Sequence, residues 1–145
     1  MTSGQPDTSH YDDLGKLIPQ RAPMVMIDGL TEVTDDAAIS RFTVRTGNIF
    51  LNEGLFAEAG LLENMAQTAA ARSGHLSALA GQAPPVGFIG GVKDLKVHRL
   101  PAEGETLTTR VTVLHEVMNA SVVKGEVTVA GKPIAECELK IFINP

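Results

Sequence analysis

The chain has 145 residues, 43% of them apolar and 20% charged, with a formal net charge of −5, one cysteine and no tryptophan. That length suits one domain with its own core, and the lone Cys137 excludes an internal disulfide and a thiolate-rich metal site. The acidic balance and 4% aromatic content disfavour general binding to nucleic acid or anionic lipid, and a platform for stacking single-stranded bases.

Residues 1–10 are polar and turn-rich and are expected to be disordered, leaving 11–145 as a single domain. They lack the basic-then-apolar order of a secretory signal, so a cytoplasmic location is the default. Tyr11, Leu14, Leu17 and Ile18 then repeat at helical spacing until Pro19 stops the pattern, which predicts a short helix. After Pro23, MVMIDGLTEVT and AAISRFTVR are rich in apolar and β-branched residues and break at Thr34–Asp36, which predicts a hairpin. GNIFLNEG (47–54) reads as a loop leading into the longest element.

That element is a long helix over Phe56–Ala80, favoured by many alanines. Leu62, Met65, Ala66, Ala69, Ala70, Ser73 and Leu76 share one helical face and are expected to form its buried stripe. At ~100° per residue, Glu63 lies about 20° from Ala70 and about 60° from Ala66, so a carboxylate borders that stripe. With Gln67, Arg72 and His75 it also interrupts the apolar run, and no membrane span is expected. Gly81, Pro84 and Pro85 end the helix.

The remainder is β in character: VGFIGGVKDLKVHRL, TLTTRVTVLHEV, SVVKGEVTVA and KPIAECELKIFI. Alternation at Val111 and Val113, Val127 and Val129, and Ala135 to Ile141 predicts an antiparallel meander, with reversals at Asn119-Ala120 and Ala130-Gly131. The result is an α+β architecture in which a curved antiparallel sheet of about six strands wraps one long helix.

The order strand pair, long helix, strand series, with LLENMAQ (61–67), resembles the hotdog-fold β-hydroxyacyl-acyl-carrier-protein dehydratases of fatty-acid synthesis. The likeness runs from LIPQRAPMVMIDGL (17–30) to the last strand. FLNEGLFAEAGLLENMAQTAAA and GFIGGVKDLKVHRLP resemble a divergent branch among dehydratase-like proteins of aryl polyene and flexirubin-type pigment assembly. The resemblance implies the hotdog fold, an obligate dimer, an acyl tunnel at the dimer interface, (3R)-hydroxyacyl thioesters of acyl carrier protein as substrates, and no cofactor or metal.

In that family a His in a Gly-His-Phe-Pro loop and a Glu on the helix form the catalytic pair. Glu63 matches the helical carboxylate, Phe50 the loop phenylalanine and Phe56 another apolar position, while Ile49 falls where the His belongs. Leu51 to Gly54 replace the loop's prolines and glycine, and Gln20 stands where many members have His. Dehydration needs one group to take the acidic α-proton and another to protonate the leaving hydroxyl, with donors on the thioester carbonyl. Ile49 can do none of this. His75, twelve residues beyond Glu63 and about 18 Å away at ~1.5 Å per residue, cannot pair with it in the same chain. His10, His98 and His115 have no position legible in the pattern.

Each candidate carries a plainer alternative. Glu63 is a catalytic or substrate-orienting carboxylate, or an ordinary helix residue at a dimer edge; Gln67 hydrogen-bonds to it, or makes a simple i,i+4 contact. Gly90 and Gly91 correspond to a segment whose backbone N–H faces the thioester carbonyl in the family, or mark a β-bulge or close packing. Arg21, Lys93, Lys96 and Arg99 form a basic edge for an acidic carrier protein, or a solvated face. Cys137 reads as core. The expectation is a hotdog homodimer acting on thioester-linked acyl chains with Glu63 central. Higher oligomers, a non-catalytic partner of a complete dehydratase in a heterodimer, and a hotdog acyl thioesterase stand as alternatives.

Overall fold

The computed structural model describes residues 11–144, and the expectation of a disordered N-terminus lies outside them. A one-turn helix α1 (Leu14–Leu17) precedes the hairpin β1 (Gly29–Val33) and β2 (Ala37–Thr43). The segment read as a loop contains a miniature ribbon, β3 (Leu51–Asn52) with β4 (Leu55–Phe56), so Phe56 ends a strand and the long helix α2 starts at Glu58 and runs to Leu79. Four long strands follow: β5 (Val86–Val97), β6 (Thr106–Val117), β7 (Ala120–Val129) and β8 (Lys132–Asn144).

Helix α2 ends in a Schellman motif. Gly81 takes a left-handed φ of +74°, Gln82 N–H bonds to the Ser77 carbonyl and Gly81 N–H to that of Ala78. The motif satisfies carbonyls that the helix would otherwise orphan.

The six main strands form one antiparallel sheet in the order β1-β2-β6-β7-β8-β5, with the expected meander as its last three sequential strands. Alternate residues of β6, β7 and β8, including Leu107, Val111, Val123, Val127, Cys137 and Leu139, are buried against α2. Pairing slips at Thr31, Gly90, Leu114 and Ile134, and across Asp94–Leu95. Such bulges raise local twist and bend a strand, which a sheet needs if every strand is to touch one helix. All six contact α2.

The buried side of α2 coincides with the predicted stripe only in part. Met65 and Ala69 of that stripe are buried, whereas Leu62, Ala66, Ala70 and Ser73 are half-buried and Leu76 is exposed, and Leu61, Asn64, Thr68, Ala71, Arg72 and His75 are buried instead. The helix buries a polar face because that face is satisfied across the fold. Asn64 Nδ2 donates to the Met26 carbonyl (2.8 Å), and Asn64 Oδ1 accepts from Thr109 Oγ1 (2.5 Å). Thr68 Oγ1 donates to the Asn64 carbonyl at 2.7 Å, so in its 2.7 Å contact with Ser40 Oγ it is the acceptor. An unsatisfied buried polar group costs about 1–3 kcal/mol, and this network avoids that cost at four side chains.

At the far end of α2, Gly74 lets α1 lie against the helix: a Cβ there would sit 1.7 Å from the Leu17 carbonyl oxygen. Beside it, the Tyr11 and His75 rings meet edge to face at 5.0 Å.

Candidate functional site

Glu63 projects from the second turn of α2, half-buried, and its orientation is set by Gln67 one turn on. Gln67 is fully buried. Its Oε1 accepts from Met26 N–H (2.6 Å), and its Nε2 donates to the Met24 carbonyl (2.7 Å) and to Glu63 Oε2 (2.6 Å). The Met26 N–H fixes which way the amide faces, since a flipped amide would set two donors against each other. Gln67 therefore ties the segment after Pro23 to α2 and holds one oxygen of the Glu63 carboxylate, the hydrogen bond expected of the pair.

The carboxylate lines a cavity of about 60 Å³ walled by Ala66 and Ala70 of α2, Phe88 and Ile89 of β5, and Gln20. Gln20 Oε1 is buried there without a hydrogen-bond partner. Sequence reasoning noted Gln20 as a departure from the family's His but did not place it opposite Glu63; only the path of the segment between α1 and β1 does that.

The other predicted site residues are placed elsewhere. Ile49 is 47% exposed. Phe56 is fully buried, its ring 5.7 Å from Phe42 and 6.2 Å from Phe50, so both predicted substrate-binding phenylalanines serve the core at the start of α2. Gly90 is the first of two β5 bulges, and a Cβ on it would lie 2.1 Å from the Phe142 ring, so close packing requires glycine there. Gly91 lines a cleft on the outer face of the sheet with Lys93 and His115. None of these lines the Glu63 cavity in the isolated chain.

Of the four predicted carrier-binding cations, Arg21 and Arg99 are engaged locally, and Lys93 and Lys96 are exposed on β5. Arg21 Nη1 donates to the Ile18 and Gln20 carbonyls at 2.8 Å, completing the C-terminal end of α1. Lys93 and Lys96 stand opposite Glu138 and Glu136 on β8. Arg99 grips Glu105 through two hydrogen bonds of 2.7 and 3.0 Å, which, with the Ala102 N–H, hold the Glu105 carboxyl down at about 2. Burial, followed by Glu136 and Glu138, pushes the Cys137 thiol up to about 11, as befits a core residue.

No imidazole among the described residues lines the Glu63 cavity: His75 is buried against Tyr11, His98 is exposed just after β5, and His115 is exposed on β6; His10 lies outside the described residues. Among the described residues, no group of three or more His, Cys, Asp or Glu is arranged to hold a metal ion, and no helix is long and apolar enough to cross a membrane.

This geometry has counterparts among known proteins. A family model described as ApeP-like, ApeP dehydratase, matches residues 13–145. The 3-hydroxyacyl-[acyl-carrier-protein] dehydratase FabZ of Latilactobacillus sakei subsp. sakei is 28% identical over 142 residues, covering 91% of this chain and 96% of its own. That of Ligilactobacillus salivarius is 29% identical over 143 residues, covering 91% and 96%. Among solved structures, the dehydratase heterocomplex ApeI:P from Xenorhabdus doucetiae superposes with a TM-score of 0.85 at 21% identity over 91% of each chain. A hypothetical thioesterase protein with coenzyme A from Streptococcus pneumoniae TIGR4 gives 0.63 at 14% identity over 79% of this chain and 84% of its own. The sheet and helix described above are the hotdog fold.

Proposed function

The chain belongs to the ApeP-like dehydratase family, and from that premise we propose that it is one subunit of a dehydratase acting on β-hydroxyacyl thioesters of acyl carrier protein, in fatty-acid or polyene-pigment assembly. It contributes Glu63 and an acyl cavity, and a partner chain contributes the imidazole that Ile49 replaces.

The observation that carries this reading is the position of the Glu63 cavity. It is walled by Phe88 and Ile89 of β5, which lies at one edge of the sheet. On β5, Val86, Phe88 and Val92 are 53%, 59% and 44% exposed. An edge whose first half, Val86 to Val92, is apolar and has unpaired backbone groups is a place for another chain to add a strand. A chain docked on β5 would close the cavity and bring its own residues to the carboxylate. A second copy of this chain carries the same Ile49, whereas a partner with an intact Gly-His-Phe-Pro loop completes the pair. Support for a mixed assembly also comes from the ApeI:P neighbour, described as a dehydratase heterocomplex.

In such a site one group removes the C2 proton while the other protonates the departing C3 hydroxyl; the C2–H and C3–O bonds break, the C2=C3 bond forms and water leaves. Glu63, steadied by Gln67 Nε2, carries one of the two transfers, and the partner's imidazole the other. Exclusion of bulk water by Ala66, Ala70 and Phe88 strengthens both interactions.

The test is an enoyl-thioester assay on the chain alone and co-purified with a His-bearing dehydratase subunit. The isolated chain is expected to be inactive and the mixed complex active, with Glu63→Gln lowering turnover of the complex by about 100-fold or more. Turnover by the isolated chain would overturn the division of labour; an active complex indifferent to Glu63→Gln would make the chain a scaffold; release of free thiol would make it a thioesterase.

A further inference from the structure

Further along α2, between the helix and the sheet, lies a second cavity of about 30 Å³. It shares Ala70, Gly87 and Ile141 with the Glu63 cavity, so the two adjoin through small or aliphatic walls. Val111, Val123 and Ile141 make most of it apolar, as the end of an acyl channel should be. Arg72 does not fit that description. It lines the cavity yet is only 7% exposed, with Ser73 beside it.

Arg72 Nη2 donates to the Asp35 carbonyl in the β1–β2 turn, whereas its Nε is buried without a hydrogen-bond partner. Among the described residues no carboxylate stands within ion-pair distance of it. A guanidinium stays charged, and burying it without a counter-charge costs several kcal/mol. A channel that ended only on a methyl group would bear that cost with nothing in return.

We propose that this channel receives an acyl chain whose far end carries a hydrogen-bond acceptor, and that Arg72 binds that acceptor. The inference rests on the reading of Glu63 as the thioester end. Nine residues separate Glu63 from Arg72, about 13 Å along the axis at ~1.5 Å per residue and about half a turn around it at ~100° per residue, so a channel that curves past Ala70, Ser73 and Ala69 to reach Arg72 has room for at least on the order of ten carbon atoms. A carboxylate and a neutral oxygen both satisfy an Arg N–H, and only the carboxylate also neutralises the charge.

The experiment is calorimetric titration of the full-length chain with decanoyl-, ω-hydroxydecanoyl- and ω-carboxynonanoyl-pantetheine. Wild type is expected to bind the two oxygen-terminated thioesters about tenfold or more tightly than the decanoyl thioester, the difference one charge-assisted hydrogen bond supplies. A carboxylate that far exceeds the hydroxyl identifies charge as the recognised property. Arg72→Met is expected to erase the preference while keeping decanoyl binding. If that variant fails to fold, Arg72→Lys, which keeps the cation and loses Nε, is expected to narrow it. Equal binding of all three by wild type, or a preference that survives in the Arg72 variants, overturns the inference and leaves the thioester reading intact. Binding of none, by the chain alone or in the mixed complex, overturns both.

Discussion

The two sides of α2 invert the usual relation between polarity and burial. The side toward β2 and β6 carries Asn64, Thr68, Arg72 and His75 and is buried; the side toward β5 carries Ala66, Ala70 and Ser73 and is half-open. The buried side is finished around Asn64, where Asn64, Thr68, Ser40 and Thr109 satisfy one another and the Met26 carbonyl, and only further along does Arg72 keep an unpartnered Nε. The alanine side is unfinished, with a held carboxylate, an unpartnered amide oxygen at Gln20 and an open sheet edge. Polar side chains pack securely when their partners come from the same chain, and small side chains leave room for something from outside it.

Substitutions should therefore separate stability from binding according to the side they strike. The largest loss of stability is expected at the α1–α2 contact. Gly74→Ala forces a methyl group into the Leu17 carbonyl and should cost about 3 kcal/mol in urea unfolding, since backbone cannot yield as a flexible side chain would. Next comes Asn64→Ala on the finished side. It strands the Met26 carbonyl and the Thr109 hydroxyl and should cost about 2 kcal/mol by the same measurement. A smaller loss there would mean that the network is looser than its distances imply.

On the unfinished side, Ala70→Leu adds volume where both cavities meet. It should change stability by about 1 kcal/mol or less while abolishing acyl-thioester binding in calorimetry. A large stability loss would show that Ala70 is core and would erase the contrast between the two sides. The smallest effect belongs to neither side. The carboxyl of Glu105 is lowered to about 2, so its ion pair with Arg99 contributes fully above the unfolded carboxylate value near 4.5 and is lost as pH falls toward 2. Glu105→Gln should leave a slightly less stable protein at pH 6, with the difference from wild type shrinking below pH 4; solvent screening keeps it small.

Much of the fold was legible from periodicity. Alternation exposed the β6-β7-β8 meander, and Gly81 with the following prolines marked the end of α2. The ribbon of β3 and β4 was missed because two residues per strand leave no period to read. At the site, Glu63 and Gln67 were found as a pair, since four residues on a helix place them in reach. Gln20 and Arg72 were not given their places. Gln20 reaches the cavity through a non-repetitive segment, and Arg72 looks like any solvent-facing charge until the β1–β2 turn covers it.

Taken alone, the sequence determined the order of the long elements, the one long helix and the carboxylate with its amide neighbour, because each depends on residues within a few positions of one another. Only the tertiary structure decided which side of α2 is buried and where an acyl chain has room. Met26, Thr109 and Asp35, which satisfy the buried side, lie dozens of residues from their partners, and hydrogen bonds formed across the fold outweigh the apolar count of a helical stripe.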